Sequence, residues 1–159
     1  MMQKENEKFM KMAIALSEQN VTRSLGGPFG AVIVKDGKLI AKSANKVTSS
    51  NDPTAHAEVS AIRKACKKLK TFDLSGCVIY TSCEPCPMCL GAIYWSRIEL
   101  IYYANTKKDA ADIGFDDQFI YDEINLDMDK RKLPIVQLLQ HEARQAFTQW
   151  TNSNMKIGY

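Results

Sequence analysis

Cys83, Cys86 and Cys89 fall within the segment TSCEPCPMC, with Pro85 and Pro87 on either side of the middle one. Thiols at this density can form a disulfide knot, cycle as a redox pair or ligate a metal. Cys86 and Cys89 stand three apart where a helix is expected to start, which puts them on one face. The free amides and positive dipole end there favour thiolates. Two ligands are too few for a tight site. The chain has two histidines, and His56, in PTAHAEV, reads as part of the first turn of a preceding helix. Three ligands, His56, Cys86 and Cys89, leave the fourth tetrahedral position of a zinc ion to water, the pattern of a catalytic site. Glu58 lies two residues after His56 and off its helix face. From there it reaches past the metal toward that water and can shuttle protons.

Plainer readings compete with this one. A His-x-Glu pair is common by chance, and Cys-x-x-Cys marks redox pairs and structural zinc sites as well. A redox pair needs no upstream His-Ala-Glu, and a structural site wants a fourth protein ligand, for which Cys83 is the nearby candidate. Cys66 and Cys77 read as small buried apolar residues, and His141 as a solvated surface residue.

The composition bounds the rest. A chain of 159 residues that is 45% hydrophobic and 25% charged fits one ordinary globular domain, here taken as 1–159. A net charge of +3 is mild for a dedicated nucleic-acid binder. The clusters RKACKKLK and DKRKL lack interleaved aromatics and read as solvated surface, so nucleic acid is not an expected partner. No apolar run suits a signal peptide or a membrane span. The expectation is a cytoplasmic protein without a membrane partner, where thiols stay reduced.

Alternating elements must position the candidate residues. Phe9, Met12, Ala13 and Leu16 recur at helical spacing over about 4–20. GGPFG breaks that helix, and AVIVKDGKLIAKSAN reads as two strands around an Asp36-Gly37 turn. Asp52 is placed to cap the next helix, with Pro53 at its first position. CVIYTS is a short buried strand followed by a helix over about 85–95. RIELIYYAN is another strand and LPIVQLLQ a fifth. EARQAFTQWTNSN closes the chain as a helix, and the Lys/Asp-rich stretches near 105–112 and 122–132 read as surface connections. This order implies an α/β fold, a mixed sheet sandwiched by helices.

His56-Ala57-Glu58 and Pro85-Cys86-Pro87-Met88-Cys89 match the H-x-E…P-C-x-x-C signature of zinc-dependent nucleobase deaminases. The chain resembles the cytidine deaminase superfamily over nearly its whole length. That implies a three-layer α/β/α fold with a five-stranded mixed sheet and one Zn2+ per chain. GGPFGAVIVKDG, SNDPTAHAEV, TSCEPCPMCLGAIYW and GFDDQFIY together are similar to the bacterial guanine deaminases, with GFDD (Gly114 to Asp117) the most discriminating block.

The resemblance implies hydrolytic deamination of guanine to xanthine and ammonia, in purine catabolism or salvage. Glu58 then carries the proton of the attacking water, and Asp117 helps protonate the leaving amine. Asn45 hydrogen-bonds the purine, while Phe29, the backbone of Ala57, Phe115 and Tyr159 shape the pocket. It also implies a homodimer, with the C-terminal helix and tail, 140–159, exchanged between subunits. Three other functions share these motifs in part: tRNA adenosine deamination, free cytosine or cytidine deamination, and a zinc-stabilised binding module. The intact Glu58 argues against the last.

Overall fold

The structure, a computed structural model, describes residues 2–159, with side chains from residue 3 onward. Contacts cluster the chain into two compact units, Met1–Asp117 and Gln118–Tyr159.

The first unit begins with helix α1 (Met2–Thr22), followed by strands β1 (Gly30–Lys35) and β2 (Lys38–Ala44). A single helical turn α2 (Val47–Ser50) leads to α3 (Ala57–Leu69), β3 (Cys77–Cys83) and α4 (Pro87–Trp95). Strand β4 (Leu100–Asn105) and the short α5 (Lys107–Asp112) complete it. Asp36 and Gly37, both at positive φ, make the two-residue turn of the β1–β2 hairpin, as Asp-Gly between alternating strands requires.

The sheet order is β2-β1-β3-β4. β1 is antiparallel to β2 and β3, and β3 is parallel to β4. The parallel pair forces a crossover, which α4 supplies. Alternation along the strands splits the core in two. Val32, Val34 and Tyr80 face Phe9 and Ala13 of α1. Ala31, Ile33 and Ile79 face Ala61, Ile62 and Ala65 of α3 and Ile93 of α4. The result is three α/β/α layers.

Two local features fix these layers. At Gly30 an added Cβ would lie 2.2 Å from the Ala13 carbonyl oxygen, so α1 packs closer to β1 than any side chain permits. On the edge strand β2, Lys64 donates to Lys42 O (3.1 Å) and Lys68 to Leu39 O (3.3 Å). Covering edge carbonyls with lysines blunts edge-to-edge pairing.

The second unit contains α6 (Gln118–Asn125), a 3-10 turn (Met128–Lys130) and α7 (Gln140–Asn152). Arg131 donates to the carbonyls of Ile124 and Leu126 and so closes the end of α6.

Several expectations need correction. The fifth strand does not form: the sheet has four strands among the described residues, and residues 132–139 carry no regular structure. Pro134 cannot donate to a ladder, Leu139 takes a left-handed φ of 54°, and a strand exists only where a partner satisfies its backbone. The stretches read as connections contain α5, the end of α6 and the 3-10 turn. Asp52 does not cap α3; it accepts from the Thr54 amide and hydroxyl, building a turn in the preceding loop. α4 starts at Pro87, two residues later than expected. No helix among the described residues is long and apolar enough to cross a membrane.

Candidate active site

Helices α3 and α4 begin in the same way, and their beginnings make the site. The N-cap residues are His56 and Cys86, both with extended backbone, and neither makes a side-chain capping hydrogen bond of the ordinary kind. Ser, Thr, Asp and Asn are the residues that satisfy free amides there. A histidine and a cysteine at those positions therefore have another use. Pro87 starts α4 with a preset φ and no lost hydrogen bond. Cys89 follows two positions later and is fully buried.

The side chains converge. His56 Nδ1 lies 3.6 Å from Cys86 Sγ and 3.4 Å from Cys89 Sγ. All three donor atoms fall within 4.8 Å of one another, the one such group of His, Cys and acidic residues among the described residues. Zinc bonds of about 2.3 Å to sulfur and 2.0–2.1 Å to nitrogen, at tetrahedral angles, imply S···N edges of about 3.5 Å. The observed edges match, so the donor set fits zinc by chemistry and by size.

Hydrogen bonding with Cys89 holds the Cys86 thiol well below the usual range, with His56 adding to the effect. The same bond and burial push Cys89 up. The hydrogen bond to Cys86 raises His56.

Glu58, in the first turn of α3, is buried and accepts from Cys89 Sγ at 3.4 Å. Burial raises its carboxyl above the usual range, with the negative Cys86 adding to the shift. A carboxylate that binds a proton readily beside the ligand set is the arrangement proton transfer needs.

Cys83 stands apart. Its Sγ donates to Thr106 O at 3.5 Å, and burial, reinforced by Glu58, pushes its thiol up to about 11. Its sulfur is turned to Thr106 and is not among the three converging donors. Cys66 and Cys77 are likewise raised by burial, and all five cysteines are free. His141 is exposed on α7.

The remaining expected residues divide between the two units. Asn45 is buried beyond the end of β2, and its Oδ1 accepts from the Val47 amide at 3.2 Å. That bond fixes which way round the amide lies. Ala57 is fully buried at the start of α3. Phe29 and Phe115 meet edge to face, with centroids 5.0 Å apart, a favoured aromatic geometry.

Phe115 reaches Phe29 through the end of α5. Phe115 N donates to Ala110 O and Gly114 N to Ala111 O, a Schellman ending. Gly114 takes φ 92°, where a side chain would be strained. Asp117 follows, half-buried; burial raises its carboxyl, and so does the negative Cys86. Tyr159 ends the second unit, 73% exposed.

Asn20 was not among the expected site residues. It is buried on α1, and its side chain donates to the carbonyls of Gly27 and Asn45. A signal existed: Phe9, Ala13 and Ser17 run along one helical stripe, and Asn20 is a larger polar residue at the next core position.

Comparison with known proteins accords with this geometry. Residues 3–105 match the family described as the cytidine and deoxycytidylate deaminase zinc-binding region. Guanine deaminase of Bacillus subtilis (strain 168) is 54% identical over 154 residues, 97% of this chain and 99% of that protein. A crystal structure of guanine deaminase from Bacillus subtilis superposes with a TM-score of 0.93 at 54% identity, over 96% of this chain and 98% of that one. A tRNA-specific adenosine deaminase of Aquifex aeolicus is 42% identical over 102 residues, 64% of this chain and 67% of that protein. With its ligand trio, its buried glutamate and these matches, the chain belongs to the cytidine and deoxycytidylate deaminase zinc-binding family.

Proposed function

We propose that this protein is a guanine deaminase, a hydrolase that converts guanine and water to xanthine and ammonia. One observation carries the reading. His56, Cys86, Cys89 and Glu58 converge in a chain that is similar to a guanine deaminase over 97% of its length, including the GFDD segment. The similarity to a tRNA-specific adenosine deaminase covers 64% of the chain.

His56, Cys86 and Cys89 would hold one zinc ion per chain, which when bound would make water acidic enough to ionise near neutral pH. Glu58 takes the proton of the attacking water and passes it to guanine N3, which makes C2 more electrophilic. The oxygen adds to C2 as the C2=N3 π bond opens toward the protonated N3. Asp117 relays the remaining proton of that oxygen to the exocyclic amine, which leaves as ammonia as the C2–N bond breaks and the C2 carbonyl forms. The raised carboxyls of Glu58 and Asp117 suit both transfers.

The NH₂ of Asn45 hydrogen-bonds the purine, the backbone of Ala57 lines the pocket, and Phe29 and Phe115 enclose the base. Tyr159 closes a pocket as the end of an exchanged tail. The chain forms a homodimer in which 1–159 is one catalytic domain and 140–159 passes to the partner. Two features support exchange. β4 is an edge of the sheet with Leu100 and Tyr103 exposed, and Leu133, Val136, Leu138, Phe147 and Ile157 are exposed in the second unit. Ligating thiols require a reducing compartment, which favours the cytoplasm.

The test is ammonia release by the zinc-loaded protein from guanine, adenine, cytosine and a tRNA anticodon stem-loop. Release from guanine alone supports the reading. Release from cytosine or the stem-loop, with guanine untouched, overturns it.

A further inference from the structure

The Asn20 side chain ties together two segments that are distant in sequence, each carrying a residue of the base pocket. Its Nδ2 donates at 2.8 Å to Gly27 O and at 2.9 Å to Asn45 O. Both amide hydrogens are thereby used. The same two segments are joined once more, by Asn45 N donating to Phe29 O at 3.0 Å. Gly26 closes the junction: an added Cβ would stand 2.8 Å from Asn45 O, 3.0 Å from Asn20 Nδ2 and 3.2 Å from Asn45 Oδ1. Asn20 itself is 4% exposed and emerges from the last turns of α1, a rigid element packed on the sheet.

We propose that Asn20 is a positioning residue for purine binding. It sets the place of the Asn45 amide, and of Phe29 beside it, without touching the substrate. This rests on the reading of Asn45 as a purine contact. Asn45 Oδ1 is occupied by the Val47 amide, so its NH₂ can aim at a base only as accurately as its backbone is held. Asn20 and the Phe29 carbonyl bind the backbone carbonyl and amide of Asn45 itself. Loss of the Asn20 donor lets Asn45 and the Gly26–Phe29 loop separate, which weakens guanine binding more than it slows the proton transfers at Glu58.

The experiment is a double-mutant cycle on the full zinc-loaded chain, reading kcat and KM for guanine, zinc content and thermal midpoint. Asn20→Ala is expected to raise KM about tenfold, the worth of one or two hydrogen bonds, with kcat changed less and zinc content full. Asn20→Ala combined with Asn45→Ala should lose no more than about twofold beyond Asn45→Ala alone, because residues acting through one contact do not add.

Asn20→Asp, equal in size, donates at most one hydrogen, and only when protonated, so it cannot hold both carbonyls and should raise KM as well. Gly26→Ala crowds the same junction from the other side. It should also raise KM, and it serves where Asn20 variants fail to fold. Multiplicative losses in the cycle, wild-type KM in Asn20→Asp, or a lowered thermal midpoint with unchanged KM overturns the role of Asn20. Wild-type KM in Asn45→Ala overturns the reading of the pocket itself, and the proposal with it.

Discussion

Cys89 Sγ lies 3.4 Å from His56 Nδ1 although 33 residues separate them. The contact exists because β3 and the start of α3 both deliver chain to one end of the sheet, where two helices begin. Each helix start carries one of the converging donors, His56 or Cys86, in place of an ordinary cap. Zinc content is accordingly the first property to measure. Cys86→Ser and Cys89→Ser should each lose the ion, while Cys83→Ser should retain about one equivalent, since its thiol faces Thr106 O. Zinc lost from Cys83→Ser but kept in Cys86→Ser contradicts the ligand assignment.

Glu58→Gln preserves shape and removes the proton carrier. Zinc should remain bound while kcat falls by roughly 10²–10⁴-fold or more, the range for a general acid–base group. Turnover within a few-fold of wild type would place the base elsewhere.

Much of this site was legible in the sequence, for a physical reason. The ligands and Glu58 are fixed by local spacing, since each half of the signature sits within a helical turn. Gly114 was legible as part of GFDD, although its reason, the left-handed end of α5, was not. The clamp of Asn20 on Asn45 joins residues 25 apart and has no local period to reveal it. The fifth strand failed for the same kind of reason. Apolar content suggests strand at LPIVQLLQ, but a strand is set by its partner, which lies outside any local window. Helix starts erred where Asp52 and Pro53 offered a better cap than the His56 that is used.

The close packing of α1 on β1 yields a stability prediction. Gly30→Ala would put a methyl 2.2 Å from Ala13 O, against backbone that cannot rotate away. Overpacking of this kind costs about 1–3 kcal/mol, occasionally more, to be read as a lowered denaturation midpoint. An unchanged midpoint would mean that α1 can lift from the sheet without cost.

The tail provides a test of exchange. Deleting Ile157 to Tyr159 should leave zinc content intact and lower guanine turnover by about tenfold or more, as expected when a pocket loses a group that orients its substrate. Co-refolding the truncated chain with Glu58→Gln creates a pocket with the intact Glu58 of one chain and the intact tail of the other. Activity should partly return. Full activity of the truncated chain alone would make the tail a simple chain end.

The substrate is the central claim, and one competition decides it most directly. Guanine and a tRNA anticodon stem-loop are mixed with the zinc-loaded protein, and the products are separated by chromatography. The account predicts xanthine, with the adenosine of the stem-loop unchanged and no xanthine from Glu58→Gln. Inosine in the stem-loop, with guanine recovered intact, would contradict it.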